Sequence, residues 1–228
     1  MSGHSSNLAM PLRAAIIAAL GVVAGHGASA QVRAAPSGNH ADSSGWVIGP
    51  VIHGRNYSRG MPLHPTPRRA GGWQVELPRP PASLHAVIFR HGSLTGKSRI
   101  LMRYRIEADR DVRILPRTSP GSPSIITLFF QRGGDNWSGR GPFEAYRWYA
   151  TFASQSPITP GERVMVAPLS GNWTAVERSS ARSNPAAFRA AVVGADQVGL
   201  VLGGGDGFGH GIFATGRARL IVTSFRVE

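Results

Sequence analysis

The chain reads as an all-β protein, an antiparallel β-sandwich of the jelly-roll kind with one short helix. Three observations predict this. Short apolar runs recur along the chain, and its 29 glycines and 17 prolines fall between them, the punctuation of many short strands. One run, residues 98–107, alternates cleanly: Ile100, Met102, Tyr104 and Ile106 against Arg99, Arg103, Arg105 and Glu107. A period of two gives a strand one buried and one solvated face. Only one segment, residues 184–192, carries helix signals. No repeat with a period of about 20–50 residues is visible, which argues against a propeller or solenoid.

The fold is expected to start after a leader. Arg13 precedes an apolar run at 14–23, and Ala28, Ser29 and Ala30 supply small residues before Gln31. Residues 1–30 therefore read as a secretory signal peptide, the run being shorter than the ~20 residues a spanning helix needs. Residues 31–45 are small and polar, the expected flexible leader. Residues 46–228 are expected to form a single domain.

Within that domain, residues 46–52 read as a first strand interrupted at Gly49 and Pro50. Residues 53–72 show no period and read as a long irregular section carrying Arg55, Arg59, Arg68 and Arg69. Further strands are expected at 73–77, at 84–90 (apolar on both faces), at 98–107, at 112–115 and at 124–131. At 147–152, Arg147, Tyr149 and Thr151 alternate with Trp148, Ala150 and Phe152. Val164 and Val166 mark a strand after the Pro160–Gly161 turn. Asn184 is placed to cap a helix over 185–192, with Pro185 at its first position and Gly194 to end it. Residues 197–202 and 217–227 are the last two strands.

Composition bounds the function. The 228 residues include no cysteine, so neither disulfides nor a thiol nucleophile nor a Cys-based zinc site is available. The formal charge is +13, and Lys97 is the only lysine. Such a field attracts polyanions, although nothing resembles a dense basic run and arginine spread around a surface accounts for the same number. There is no His-Glu-x-x-His and no Gly-x-Ser-x-Gly, and no cofactor motif holds up.

Three stretches draw attention. Residues 203–211 hold six glycines, with Asp206 and His210 among them. No Gly-Lys-Ser/Thr follows, and the formal Gly-x-Gly-x-x-Ala match leads into a strand rather than a helix, so nucleotide readings fail. A single carboxylate gives no calcium loop. Either the glycines permit close backbone packing, or the loop presents Asp206 and His210 at the lip of a site. The second feature is a pair of Asn-Trp-Ser/Thr loops, at Asn136–Trp137 and Asn172–Trp173. Each tryptophan either offers a flat face to a sugar ring or folds back over one end of the sandwich. With Asn56 these loops also spell glycosylation sequons, relevant only in a host with that machinery. Third, the loop 132–146 holds Arg132, Asp135, Arg140 and Glu144, able to grip acidic sugars through arginine forks or simply to pair with one another.

The succession Arg147-Trp-Tyr-Ala150, Pro160-Gly-Glu162, Val166-Ala-Pro-Leu169, Trp173, the 185–192 helix, Val198-Gly-Leu200 and 203–211 resembles uncharacterised secreted bacterial proteins. Their layout is similar to the jelly rolls of carbohydrate-binding modules, over about residues 46–228. The resemblance implies a β-sandwich with a ligand surface on a concave face or at loop ends.

The leading expectation is an exported, periplasmic or secreted, non-catalytic protein that binds a polysaccharide, with an anionic envelope or extracellular glycan as the partner. Trp137 and Trp173 would stack on sugar, Asn136, Asn172, Asp206 and His210 would meet hydroxyls, and Arg132 and Arg140 acidic groups. Two alternatives stand beside it: a glycan-acting hydrolase or lyase pairing His210 with Asp206, Glu144 or Glu162, and a structural or assembly protein of the envelope.

Overall fold

The computed structural model describes residues 39–151 and 154–228. The expected signal peptide, residues 31–38 of the expected leader, and Phe152 lie outside the described residues. Sixteen strands and one α-helix form two antiparallel sheets and two small ribbons. The fold is the all-β sandwich that the alternation and punctuation predict.

The larger sheet runs β1 (Trp46–Gly49), β6 (Ala86–Arg90), β14 (Ala195–Gly203), β9 (Ile125–Arg132), β10 (Arg147–Tyr149) and β13 (Thr174–Ala175), with β11 (Ser156–Pro157) also paired to β9. The second sheet runs β12 (Gly161–Pro168), β7 (Arg99–Ala108), β16 (Ala218–Val227), β5 (Trp73–Glu76) and β4 (Thr66–Pro67). Strand β7 shows the predicted alternation, with Ile100, Met102, Tyr104 and Ile106 buried. They meet Val198, Leu200 and Leu202 of β14 and Ile126, Leu128 and Phe130 of β9 in one core. Between the sheets, Trp46 lies 5.0 Å from Trp73 and 4.9 Å from Phe225, ring centre to ring centre. Large aromatic surfaces of this kind contribute most to a core that has no disulfide.

The helix α1 (Pro185–Val193) begins as its sequence predicts, with Asn184 accepting a hydrogen bond from the Ala187 backbone N–H. It lays Phe188 against Trp148, Trp173 and Phe130, and so closes the core beside β9 and β10. No helix among the described residues is long and apolar enough to cross a membrane.

Two stretches differ from expectation. Residues 39–45, read as the end of a flexible leader, are fastened down. Asn39 accepts from the Phe225 N–H, the His40 N–H donates to the Phe225 carbonyl, and Ala41 is buried. Small polar composition here marks an arm fastened by its backbone at His40 and by the Asn39 side chain. The section 53–72 is also less irregular than it reads: a ribbon of β2 (Val51–Ile52) and β3 (Arg55–Asn56) turns at His53 and Gly54, both with positive φ. Such a two-residue turn matches the twist of its strands. The remaining ribbon pairs β15 (Ile212–Ala214) with β8 (Ile114–Pro116).

The feature that positions the site is the outer face of the larger sheet. Strand β9 is buried at seven consecutive positions, Ile125 through Gln131. Its inward side chains enter the main core, while Phe129 joins Ala86, Ile88, Tyr149 and Val201 in a second apolar cluster on the opposite face, under Trp137, Val176 and Phe208. Loops cover that face instead of a third sheet.

Candidate binding groove

Register places the floor of the groove. Arg147 of β10 sits opposite Gln131 of β9, Gln131 opposite Gln197 of β14, and Gln197 opposite Arg90 of β6. A polar row thus crosses four strands. The neighbouring row is Tyr149, Phe129, Gly199 and Ile88. Gly199 is required there, because a Cβ would come 2.3 Å from the Val87 carbonyl oxygen and 3.1 Å from the Phe129 ring.

Both ends of the polar row are tied by ion pairs, Arg147 to Asp135 at 2.9 Å and Arg90 to Asp196 at 3.0 Å. In the middle, Gln131 donates through Nε2 to Gln197 Oε1 at 2.8 Å. Gln131 is only 4% exposed, and its own Oε1 has no partner. Turning both amides over exchanges the orphan oxygen for an orphan nitrogen and satisfies neither arrangement. A buried polar atom without a partner costs about 1–3 kcal/mol, so the floor is short of one hydrogen bond.

The loop after β9 returns across this floor and lays Trp137 over Arg147. The Trp137 N–H donates to Asp135 Oδ1 at 2.9 Å, and its carbonyl accepts from Arg147 Nη2 at 3.2 Å. The guanidinium lies 4.5 Å from the indole centre. Asp135 and Arg147 are almost fully buried, and burial raises the Asp135 carboxyl above its ordinary range even though Arg147 pulls it down. The pair therefore does little for stability and a great deal for position: it clamps the tryptophan in a left-handed conformation, φ +64°.

Trp137 and Ile52 divide the groove. One side is a cavity of about 490 Å³ lined by Gln131, Gln197, Arg90 and Asn136; the other, of about 410 Å³, is lined by His85, Tyr149, Arg178, Phe208 and His210. The glycine-rich stretch 203–211 forms the far wall of the second. It folds back onto the sheet so tightly that a Cβ at Gly203 would lie 1.4 Å from the Gly209 carbonyl oxygen. A Cβ at Gly209 would lie 2.9 Å from His85 Nε2. Close packing explains the glycines, and the same packing presents His210 and sets Phe208 edge-on to Tyr149 at 4.9 Å.

Two titratable groups in the second cavity, His85 and Tyr149, are held in defined states. His85 is pushed down to about 3, first by burial and then by the positive fields of His210, Arg117 and Arg147, so its imidazole is neutral at physiological pH. Burial raises the Tyr149 phenol, with Arg147 opposing, and keeps it protonated. Its oxygen accepts from Arg147 Nε at 3.2 Å and leaves the O–H free to donate.

Backbone strain is concentrated here as well. Five described non-glycine residues have positive φ: His53, Asp111, Trp137, Arg178 and His210. All but Asp111 line the two cavities. The hairpin turn accounts for His53. The other three hold conformations that cost about 1–3 kcal/mol each and that cluster at functional sites.

Of the residues singled out in the sequence, Trp137, Asn136 and His210 line the groove. Asp206 stands at its rim, capping the Phe208 N–H and lying 3.8 Å from Arg178. Trp173 is elsewhere and 1% exposed, its Nε1 donating to the Pro168 carbonyl, so it has no face to offer a sugar. Asn172 accompanies it, outside the groove. Arg132 is occupied over the Tyr146 ring at 4.4 Å, and neither it nor Arg140 lines either cavity. Reasoning from the chain alone did not find Gln131, Gln197, His85, Tyr149, Arg147 or Arg178 as site residues. The alternation of Arg147, Tyr149 and Thr151 was the available signal for two of them. No protein-family model and no curated protein matches the chain.

Proposed function

We propose that the protein binds carbohydrate in the groove on the outer face of its larger sheet. The observation that carries this reading is the combination of Trp137, clamped in place by a buried ion pair, with the unsatisfied Gln131 at its foot. A fixed aromatic face packs against the C–H side of a sugar, and a pre-placed amide receives a hydroxyl at its edge. Tyr149, His85 and Gln197 add neutral donors and acceptors. Neutral groups suit hydroxyls, which ionise no more readily than they do. In the cavity shared by His210 and Arg178, Asp206 stands at the rim rather than in the lining.

Glycan-array screening followed by calorimetry tests the reading. Trp137→Ala is expected to weaken binding at least about tenfold, with a smaller loss of melting temperature than Trp173→Ala because Trp137 is only partly buried. Trp173→Ala is expected to spare binding while destabilising by about 3–5 kcal/mol through the cavity it leaves. Equal affinity of wild type and Trp137→Ala, or no glycan bound at all, would refute it.

A further inference from the structure

The two halves of the groove are chemically unlike. The Gln131 half is lined by amides and by cations already matched with Asp135 and Asp196. The half beyond Trp137 is lined by no carboxylate and by four basic side chains, His85, Arg147, Arg178 and His210. Two of these bring little free charge: Arg147 is neutralised by Asp135, and His85 holds no proton. Arg178 remains as the charge of this half, with the His210 ring beside it as a hydrogen-bonding group. Arg178 lies over Phe208, its guanidinium 4.7 Å from the ring centre, and its one ion-pair partner among the described residues, Asp206, is 3.8 Å away and 40% exposed. So loose and wet a pair is worth little, and an incoming oxyanion displaces it readily. Stacking on Phe208 leaves the guanidinium edge free to fork onto a planar group. Arg178 and His210 both hold left-handed backbone, φ +81° and +80°, and both line this cavity.

We propose that this half of the groove is a carboxylate subsite, so that the ligand is a uronic-acid-containing polysaccharide. The inference rests on the carbohydrate-binding reading and specifies its substrate class. Arg178 takes both carboxylate oxygens, and Tyr149 and His210 donate from the sides. The same sugar chain passes over Trp137 and places a neighbouring hydroxyl edge on Gln131. One groove thus reads a charge and a hydroxyl pattern one sugar apart, with Trp137 as the spacer.

The test is calorimetry with the purified protein against galacturonate, guluronate and glucuronate tetrasaccharides and their carboxyl-reduced counterparts. At least one uronide is expected to bind at least tenfold more tightly than its reduced form, with an advantage that shrinks as salt rises. Arg178→Ala is expected to abolish that difference by lowering uronide affinity to that of the reduced form, whereas Gln131→Leu weakens acidic and neutral sugars alike and keeps the ratio between them. The melting temperature of each variant separates lost binding from lost folding. If neutral glycans bind as well as uronides, or if Arg178→Ala keeps the preference, the carboxylate subsite is overturned while the carbohydrate-binding reading stands. If no sugar of either kind binds, both fall.

Discussion

Removing the Asp135 carboxylate tests the clamp beneath the groove. In Asp135→Ala the Arg147 guanidinium keeps two neutral acceptors, the Tyr149 phenol oxygen and the Trp137 carbonyl, each at 3.2 Å, and loses its counter-charge at 2.9 Å. Because the Arg147 side chain is only 3% exposed, water cannot replace the carboxylate without opening the loop. Breaking a buried pair from one side costs about 3–5 kcal/mol. For a domain of this size each kcal/mol moves the midpoint by about 2–4 °C, so melting should fall by roughly 6–20 °C. The pair itself contributes little, since burial outweighs Arg147 in setting the Asp135 carboxyl. The double variant Asp135→Ala with Arg147→Met is therefore expected to be more stable than Asp135→Ala, with a coupling of about 1–3 kcal/mol across the cycle of Asp135→Ala, Arg147→Met and the double. Urea unfolding of the singles and the double measures this directly. Two single variants that each lose less than about 1 kcal/mol and add without coupling would show an ordinary solvated ion pair and refute the clamp.

Two further outcomes follow from the same face. His85 has a folded-state pKa of about 3, below its ordinary 6.5. Above pH 6.5 it contributes nothing to the pH dependence; below it, the unfolded chain takes up a proton that the folded one refuses, and stability falls as pH drops toward 3. The slope is about 1.4 kcal/mol per pH unit, and the total is about 5 kcal/mol at most. His85→Gln should flatten unfolding free energy against pH between 6 and 4 by about one proton, and an unchanged slope would contradict the assignment. Gly203→Ala would drive a methyl into the Gly209 carbonyl oxygen. A loss of about 1–3 kcal/mol or more is expected, together with glycan binding, since the wall carrying Phe208 and His210 must lift. Wild-type affinity in that variant would place the ligand elsewhere.

The sandwich was legible because its strongest strand speaks plainly. In β7 one face is solvated, so the period of two survives in the sequence. Strand β9 is covered on both faces and reads as an unbroken apolar run, which betrays a buried strand but hides which side chains face the groove. The site was partly legible for the same kind of reason. Trp137 and His210 stand in glycine-rich loops, where an aromatic or a histidine is conspicuous. Gln131 and Gln197 are hydrogen-bonded neighbours 66 residues apart, and only strand register brings them together. Trp137 and Trp173 show the limit most clearly. Both follow asparagine and precede a small hydroxylated residue, yet Phe188 and the Pro168 carbonyl draw one into the core while Arg147 holds the other at the groove.

The roof of the groove comes from four separate places in the chain: the β2–β3 ribbon, the loop of Trp137, the turn of Arg178 and the glycine stretch. None of these forms a strand of either main sheet; Trp137 and Phe208 rest on the satellite cluster, the ribbon is tied through Asn56 to the Ile48 carbonyl, and the glycine stretch through Gly211 to the Leu202 carbonyl. A ligand touching all four fastens them to one another. At about a hundred times its dissociation constant, any ligand specific for the folded state adds about 2.7 kcal/mol to the free energy of unfolding. Here that gain falls on the segments least supported by the main core, so occupancy would act on this protein as a removable cross-link.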